Sequence, residues 1–249
     1  MPNIKSNKRV LPIFESNVKN IFQNNNLENS NDIQSLSKNK KNLINEEEEL
    51  LSNKYFYQNY LMTLASLINK NVILLGDSKI GKTRLFDLIL GKEEKIENTN
   101  NNKQNFAYFE EKIIIINELE ININVWDTPG EDKNRESNKH FIKDCIISYL
   151  CFHFNSLKSF ESIQNYYYRI VKEINGKDAF VILLGIKNKI FDDENENETI
   201  SMNTINNYAE NNNILFYSVS LNDVNSVNYF FYDSIKKYAL YKTKLNLKK

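Results

Sequence analysis

Residues 71–83 read Asn-Val-Ile-Leu-Leu-Gly-Asp-Ser-Lys-Ile-Gly-Lys-Thr, and this stretch decides the fold. An apolar, β-compatible run ends at Gly76, four residues follow, and then Gly81, Lys82 and Thr83 open a segment with helical character. The pattern G-x-x-x-x-G-K-T between a strand and a helix is that of a phosphate-binding loop. Residues 76–83 are called the phosphate loop below.

Each position of the phosphate loop has a separate chemical role. The glycines let the backbone turn so that successive N–H groups converge on phosphate oxygens at the positive end of the following helix. These N–H groups belong to Asp77, Ser78, Lys79, Ile80, Gly81, Lys82 and Thr83. The Lys82 ammonium is predicted to contact the β- and γ-phosphates, and the Thr83 hydroxyl to bind Mg²⁺. A chance match to the pattern is the alternative, and the flanking strand and helix argue against it.

The composition excludes several classes of protein. The 249 residues are enough for one domain of about 150–200 residues plus extensions. Basic and acidic side chains number 32 each, so no net charge attracts nucleic acid. Cys145 and Cys151 lie in apolar segments and are predicted to be reduced core residues of an intracellular protein. No apolar run approaches the roughly 20 residues of a membrane span, and the N-terminus shows no signal-peptide pattern.

The chain divides into four segments by pattern. Residues 1–45 are predicted to be a disordered extension rich in Asn and Lys, and residues 46–70 a helical lead-in. Residues 71–242 alternate between strand and helix patterns and are predicted to form one domain. Residues 243–249 form a basic tail.

Within the predicted domain, strands alternate with helices. The helix after the phosphate loop is expected to end at Gly91, and a hairpin follows with its turn near Asn117. Later strands are predicted at residues 146–154, 179–184 and 214–218, and helices at residues 159–173, 200–212 and 224–241. This order predicts an α/β fold with a mainly parallel, six-stranded sheet and helices on both faces.

From residue 70 to residue 242, the order of these parts resembles the Ras superfamily of small GTPases, and its Rab branch most closely. Residues 76–83, Gly-Asp-Ser-Lys-Ile-Gly-Lys-Thr, are similar to the family's GDSGVGKT. Residues 126–131, Trp-Asp-Thr-Pro-Gly-Glu, are similar to its WDTAGQ. Ser159-Phe160 aligns with the start of a Rab helix. The resemblance implies the small-GTPase fold of the P-loop NTPases, with GTP or GDP and Mg²⁺ as ligands.

The resemblance also assigns roles to the residues after the hairpin. Asp127 ends a strand expected beside the phosphate loop, so its carboxylate is predicted to hold Mg²⁺ through water and to hydrogen-bond Thr83. Gly130 is predicted to bring its N–H to the γ-phosphate, so that loss of this phosphate releases residues 131–141. Glu131 replaces the family's water-orienting glutamine. Because its negative charge would face the γ-phosphate, slow hydrolysis is predicted.

The first switch departs from the family pattern. The Mg²⁺-binding threonine of the family aligns with Gln104, and Thr99 is the nearest threonine. Either Thr99 binds the metal after the loop rearranges, or this Asn-rich loop has no sensing role.

The base-recognition motifs depart further. The family's Asn-Lys-x-Asp aligns with residues 186–189, Ile-Lys-Asn-Lys, and neither Ile186 nor Lys189 can accept a hydrogen bond from guanine. A shifted alignment combines Asn188 and Lys189 with Asp192, and this acid lies one residue later than in the family motif. Guanine selectivity would then depend on Asp192 or Asp193. Residues 220–222, Ser-Leu-Asn, align with the family's Ser-Ala-Lys. Ser220 and Leu221 would contact the base there, where the bulk of Leu221 crowds it.

The C-terminus lacks the prenylated cysteines of Rab proteins. Its six lysines between residues 236 and 249 either touch anionic lipid or form a solvated helix end. By resemblance, the leading function is a Rab-like switch for effector or regulator proteins in vesicle traffic, in the cytoplasm or peripheral to intracellular membranes. The alternatives are a pseudo-GTPase scaffold and an ATP-using P-loop enzyme, and a nucleotide panel separates them.

Overall fold

A six-stranded sheet forms the centre of the structure, a computed structural model. Its strands are β1 (Lys70–Leu75), β2 (Tyr108–Ile116), β3 (Leu119–Asp127), β4 (Cys145–His153), β5 (Val181–Lys187) and β6 (Leu215–Ser220). The order across the sheet is β2-β3-β1-β4-β5-β6. Only β2 and β3 pair antiparallel in this sheet, and its other four pairs are parallel. The predicted α/β class and mainly parallel sheet are confirmed.

Helices alternate with these strands. They are α1 (Lys54–Ala65), α2 (Lys82–Leu90), α3 (Arg135–Ile142), α4 (Leu157–Ser162), α5 (Tyr168–Asn175), α6 (Met202–Asn211) and α7 (Val224–Asn246). A short 3₁₀ helix (Asp132–Asn134) precedes α3, and a π-helical segment (Ile163–Tyr167) joins α4 to α5. The sequence predicted one regular helix where α4, the π-helical segment and α5 occur, so the widened turn is a structural finding.

Both faces of the sheet are covered, as β4 illustrates. Successive side chains of a strand point to opposite faces. The ring of Tyr149 packs against Phe230 of α7 at 5.1 Å between centroids, whereas Phe152 packs against Phe160 of α4 at 5.0 Å. Nearly every residue of β4 and β5 is therefore buried, as expected for the central strands of a parallel sheet.

The ends of two elements match their sequence signals. Asn117 and Glu118 form the two-residue hairpin turn with φ of 50° and 66°, values that a tight turn between twisted strands requires. Gly91 ends α2 in a left-handed conformation, with φ of 77°. The predicted hairpin turn and helix end are both confirmed.

The structure describes residues 49–51, 53–92, 106–187 and 199–248. Residues Tyr55–Lys249 form one compact unit, and in the other unit, Met1–Lys54, residues 49–51 are helical. Among the described residues, no helix is long and apolar enough to cross a membrane. The predicted disordered extension lies outside the described residues, and the proposed domain boundaries stay predictions. The last helix runs to Asn246, past its expected end at residue 241.

Candidate functional site

A cleft of about 400 Å³ opens where β1 and β3 end. It is lined by the phosphate loop, the start of α2 and the residues that follow β3. The lining residues are Ser78, Lys79, Gly81, Lys82, Thr83, Arg84, Phe106, Asp127, Thr128, Pro129, Gly130 and Glu131. Ligands of open α/β sheets bind at the carboxyl ends of the strands, so this is the expected position for a nucleotide site.

The backbone of the phosphate loop turns through left-handed conformations. Gly76 and Gly81 have φ of 150° and 99°, and Lys79 has φ of 64°. Gly130 lies against this loop so closely that a Cβ there would be 2.3 Å from Ser78 N. The Asp-Thr-Pro-Gly segment (residues 127–130) therefore needs glycine at its end to pack on the phosphate loop.

Lys82 is buried and points back over the phosphate loop. Only 5% of the residue is exposed, and its Nζ donates to Gly76 O at 2.8 Å and Asp77 O at 2.6 Å. Burial lowers the pKa of Lys82, and the nearby carboxylate of Asp127 opposes that shift. An anion in the cleft would favour the charged ammonium, which fits a phosphate ligand.

Thr83 and Asp127 are brought together from the start of α2 and the end of β3. Thr83 Oγ1 donates to Asp127 Oδ2 at 2.7 Å. Burial raises the pKa of Asp127, although the hydrogen bond from Thr83 and the charge of Lys82 oppose the shift. The other oxygen, Oδ1, is buried and has no hydrogen-bond partner among the described residues. A hydroxyl beside a carboxylate oxygen without a partner is a donor set that fits Mg²⁺.

The Asp-Thr-Pro-Gly segment is held from both sides. Thr128 Oγ1 donates to Leu74 O at 2.7 Å, which fixes the segment to β1. Asn138 of α3 is buried, and its Nδ2 donates to Pro129 O at 2.8 Å. Glu131 follows at the cleft, where its Oε2 lies 2.6 Å from Lys133 Nζ. Sequence reasoning missed Asn138, since nothing in its local pattern marks it as an anchor of this segment.

The segments that are predicted to lie beside the base are built from different residue types. Ile186 is fully buried at the end of β5, and the Nζ of the next residue, Lys187, lies 4.8 Å from the centre of the Phe154 ring. Leu221 is also buried, and its Cδ1 would be 2.8 Å from a Cβ at Gly81. Leu221 thus packs on the phosphate loop, while Ser220 forms the end of β6. Ile186 and Leu221 are therefore apolar at positions where the family has a polar or a small residue.

One hydrogen bond ties the phosphate loop to α4. Ser162 Oγ donates to Asp77 Oδ2 at 2.6 Å across 85 positions of sequence. Ser162 is the last residue of α4, directly before the π-helical segment. Sequence reasoning missed this contact, because a serine within a helix carries no signal of a distant partner.

The comparisons with known proteins agree with this geometry. A Ras family sequence profile matches residues 71–239. The chain belongs to the Ras family. It is similar to the Ras-related protein RABG1 of Arabidopsis thaliana, with 33% identity over 42% of this chain and 50% of that protein. It is also similar to RABG3b of the same plant, at 28% identity over 60% of this chain and 73% of the relative.

Membership of the Ras family and these Rab relatives confirm the small-GTPase fold and the Rab-like character. The match to RABG1 spans about half the length of that relative. A third relative, Rab-2B of Dictyostelium discoideum, is 26% identical over 59% of this chain and 69% of its own length.

The structure brings eight of the predicted site residues to the one cleft: Ser78, Lys79, Gly81, Lys82, Thr83, Asp127, Gly130 and Glu131. The predicted residues Asp77, Ile80, Ser220 and Leu221 are not among those that line it, although Leu221 contacts the phosphate loop at Gly81. Thr99 and Gln104 of the first switch lie outside the described residues, as do Asn188, Lys189, Asp192 and Asp193. The roles assigned to all of these residues remain predictions.

Proposed function

We propose that this protein is a Rab-like switch that binds GTP and GDP with Mg²⁺ and signals its nucleotide state to effector or regulator proteins. Its place would be intracellular vesicle traffic, in the cytoplasm or peripheral to membranes, as the Rab relatives suggest. The arrangement of Lys82, Thr83 and Asp127 is the observation that carries the proposal, because two buried groups with shifted pKa values face one cleft. Mg²⁺, when bound, would screen the phosphate charge.

Within this proposal, Lys82 and the loop N–H groups hold the phosphates, and Thr83 and Asp127 hold the metal. Gly130 lies in close contact with the phosphate loop, so its N–H is suited to sense whether a terminal phosphate is present. Asn138 then links this segment to α3, since it donates to Pro129 O. A change at Gly130 is therefore transmitted to a helix.

An aromatic face beside this segment could transmit the change at Gly130 to a protein partner. It consists of Phe109, Trp126 and Phe141, whose ring centroids are 4.7 Å (Phe109 to Trp126) and 4.9 Å (Trp126 to Phe141) apart. Phe109 is 49% exposed, and Trp126 and Phe141 are partly buried. Trp126 directly precedes the metal-side Asp127, and Phe141 belongs to α3. A partly exposed aromatic surface that joins the end of β3 to α3 suits an effector whose binding depends on the nucleotide.

Calorimetry on the full chain tests the proposal. GDP, a non-hydrolysable GTP analogue and ATP would each be titrated with and without Mg²⁺. We expect GDP and the GTP analogue to bind more tightly than ATP, and Mg²⁺ to increase both affinities. Absence of binding to any of the three nucleotides would contradict the proposal.

Slow hydrolysis is part of the proposal. Glu131 carries a negative charge at the cleft and pairs with Lys133, so it is poorly suited to orient water beside the γ-phosphate. We expect Glu131→Gln to raise the single-turnover rate about tenfold, since it removes the charge and restores an amide. The conservative change Glu131→Asp is the matched control and should remain slow. Equal rates for wild type and Glu131→Gln would contradict this account.

A pseudo-GTPase scaffold, which binds partners with constitutive or absent nucleotide binding, is the second candidate. The buried Ile186 favours it, because an alkyl side chain at the end of β5 offers no acceptor to a purine edge. A purine edge left unsatisfied weakens selectivity. If the aromatic face bound the same partner equally well with GDP, with the GTP analogue and with no nucleotide, the scaffold would be the better description.

A further inference from the structure

Lys79 is an unusual residue at the tip of the phosphate loop. Its backbone has φ of 64°, a left-handed conformation that lysine seldom adopts. The residue is exposed and lines the cleft. Among the described residues, none forms a hydrogen bond or an ion pair with the Lys79 side chain. The Lys79 ammonium, which has no partner among the described residues, thus belongs to the lining of the cleft proposed to hold the phosphates.

The charges around the cleft indicate what the Lys79 ammonium could bind. Lys79, Lys82 and Arg84 are the cations that line it, and Asp127 and Glu131 are the carboxylates. Lys82 is already held by two carbonyl oxygens of the loop. Glu131 adds a negative charge that repels a phosphate ligand, and its partner Lys133 is mostly exposed and screens that charge weakly. A second cation on the loop offsets the repulsion.

We propose that the side chain of Lys79 is a second phosphate-binding cation, which acts beside Lys82 and slows the release of bound nucleotide. This inference rests on the proposed function, since it assigns a further residue to the same site. The role belongs to the side chain and is separate from that of the Lys79 N–H, which the phosphate-loop pattern already includes. The ligand chemistry is a di- or triphosphate, whose negative charges attract an exposed ammonium.

Substitutions can separate the charge of Lys79 from its backbone conformation. Asparagine adopts the left-handed region more readily than lysine, so Lys79→Asn keeps the turn and removes the cation. Lys79→Arg keeps the cation. Lys158→Asn removes one positive charge from α4, outside the residues that line the cleft, and controls for net charge.

The experiment loads the full chain with fluorescent GDP or a fluorescent non-hydrolysable GTP analogue and measures release into excess unlabelled nucleotide. At low salt, Lys79→Asn should speed release about five- to twentyfold, because a charge-assisted contact to phosphate is lost. Lys79→Arg and Lys158→Asn should stay within about twofold of wild type. At about 1 M salt the difference should largely disappear, because the screening length falls to roughly 3 Å.

The possible outcomes separate the inference from the proposed function. If wild type retains neither nucleotide, the proposed function fails and the inference fails with it. If wild type binds but Lys79→Asn releases nucleotide at the same rate, the inference alone is overturned. A faster release that Lys79→Arg shares, or that salt does not change, would assign Lys79 a structural role and would also overturn it.

Discussion

The segments predicted to hold the phosphates (the phosphate side) and the segments predicted to lie beside the base (the base side) are built by opposite means. On the phosphate side, buried polar groups are joined by short hydrogen bonds: Lys82 to two loop carbonyls and Thr83 to Asp127. On the base side, Ile186 and Leu221 are buried apolar side chains. A polar group is buried without a partner only at a cost in stability. Asp127 Oδ1 has no partner among the described residues, which fits the proposed metal ligand. Buried apolar residues need no ligand to account for them.

This contrast suggests that affinity comes mainly from the phosphates and the metal. Selectivity for the base would then depend on residues beyond β5. Changes on the phosphate side should therefore weaken the binding of every nucleotide. Changes on the base side should instead alter the ratio of the affinities for different nucleotides.

The largest effect is expected for Lys82→Ala. Loss of the buried ammonium should lower the affinities for GDP and the GTP analogue about 100- to 1000-fold, because hydrogen bonds to charged groups contribute about 1.5–3 kcal/mol each. Calorimetry on the full chain measures the change, with Lys158→Ala as a surface control. Retained affinity in Lys82→Ala would show that the phosphate side does not dominate binding.

Asp127→Asn should have the next largest effect. Removal of the carboxylate should abolish the increase in nucleotide affinity that Mg²⁺ provides. We expect the affinity in the presence of Mg²⁺ to fall about 30- to 100-fold. Nucleotide binding without Mg²⁺ should change little. Titrations at several Mg²⁺ concentrations separate the two parts, and an unchanged Mg²⁺ dependence would exclude Asp127 as metal support.

The same residue predicts a pH dependence. Burial raises the pKa of Asp127, so this carboxyl takes up a proton at a higher pH than an ordinary aspartate. Because Mg²⁺ needs the carboxylate, the Mg²⁺-dependent affinity should fall as the pH drops towards that raised pKa. Asp127→Asn should lack this pH dependence.

Substitution of Asp192 tests how the protein selects the base. If this residue accepts from guanine, Asp192→Asn should lower the preference for GDP over ADP about 10- to 30-fold, since a charged hydrogen bond is lost. GDP binding by the phosphate side should persist. Asp193→Asn is the matched control, and a larger effect there would move base recognition to the neighbouring residue.

The smallest effect is expected for Ser162→Ala. Loss of its hydrogen bond to Asp77 should loosen the phosphate loop and speed nucleotide release about fivefold, which corresponds to about 1 kcal/mol. A double-mutant cycle with Asp77→Asn measures the coupling between the two side chains. If the two substitutions have additive effects, the contact does not position the loop.

Much of the fold could be predicted from short patterns. The phosphate loop, the two-residue turn at Asn117 and the glycine end of α2 all depend on local backbone chemistry, and all three appear where they were expected. Element ends were less predictable, because the extent of β5 and of α7 depends on neighbouring strands and helices. The π-helical segment (Ile163–Tyr167) was not predicted, since no local residue demands a wider turn.

The sequence by itself determined the phosphate side of the site, because its residues lie in two compact motifs whose spacing dictates their chemistry. Only the tertiary structure decided how Asp127 reaches Thr83, how Gly130 packs on Ser78 and how Ser162 meets Asp77. These pairs are 44 to 85 positions apart in the sequence, so sheet order sets their distances.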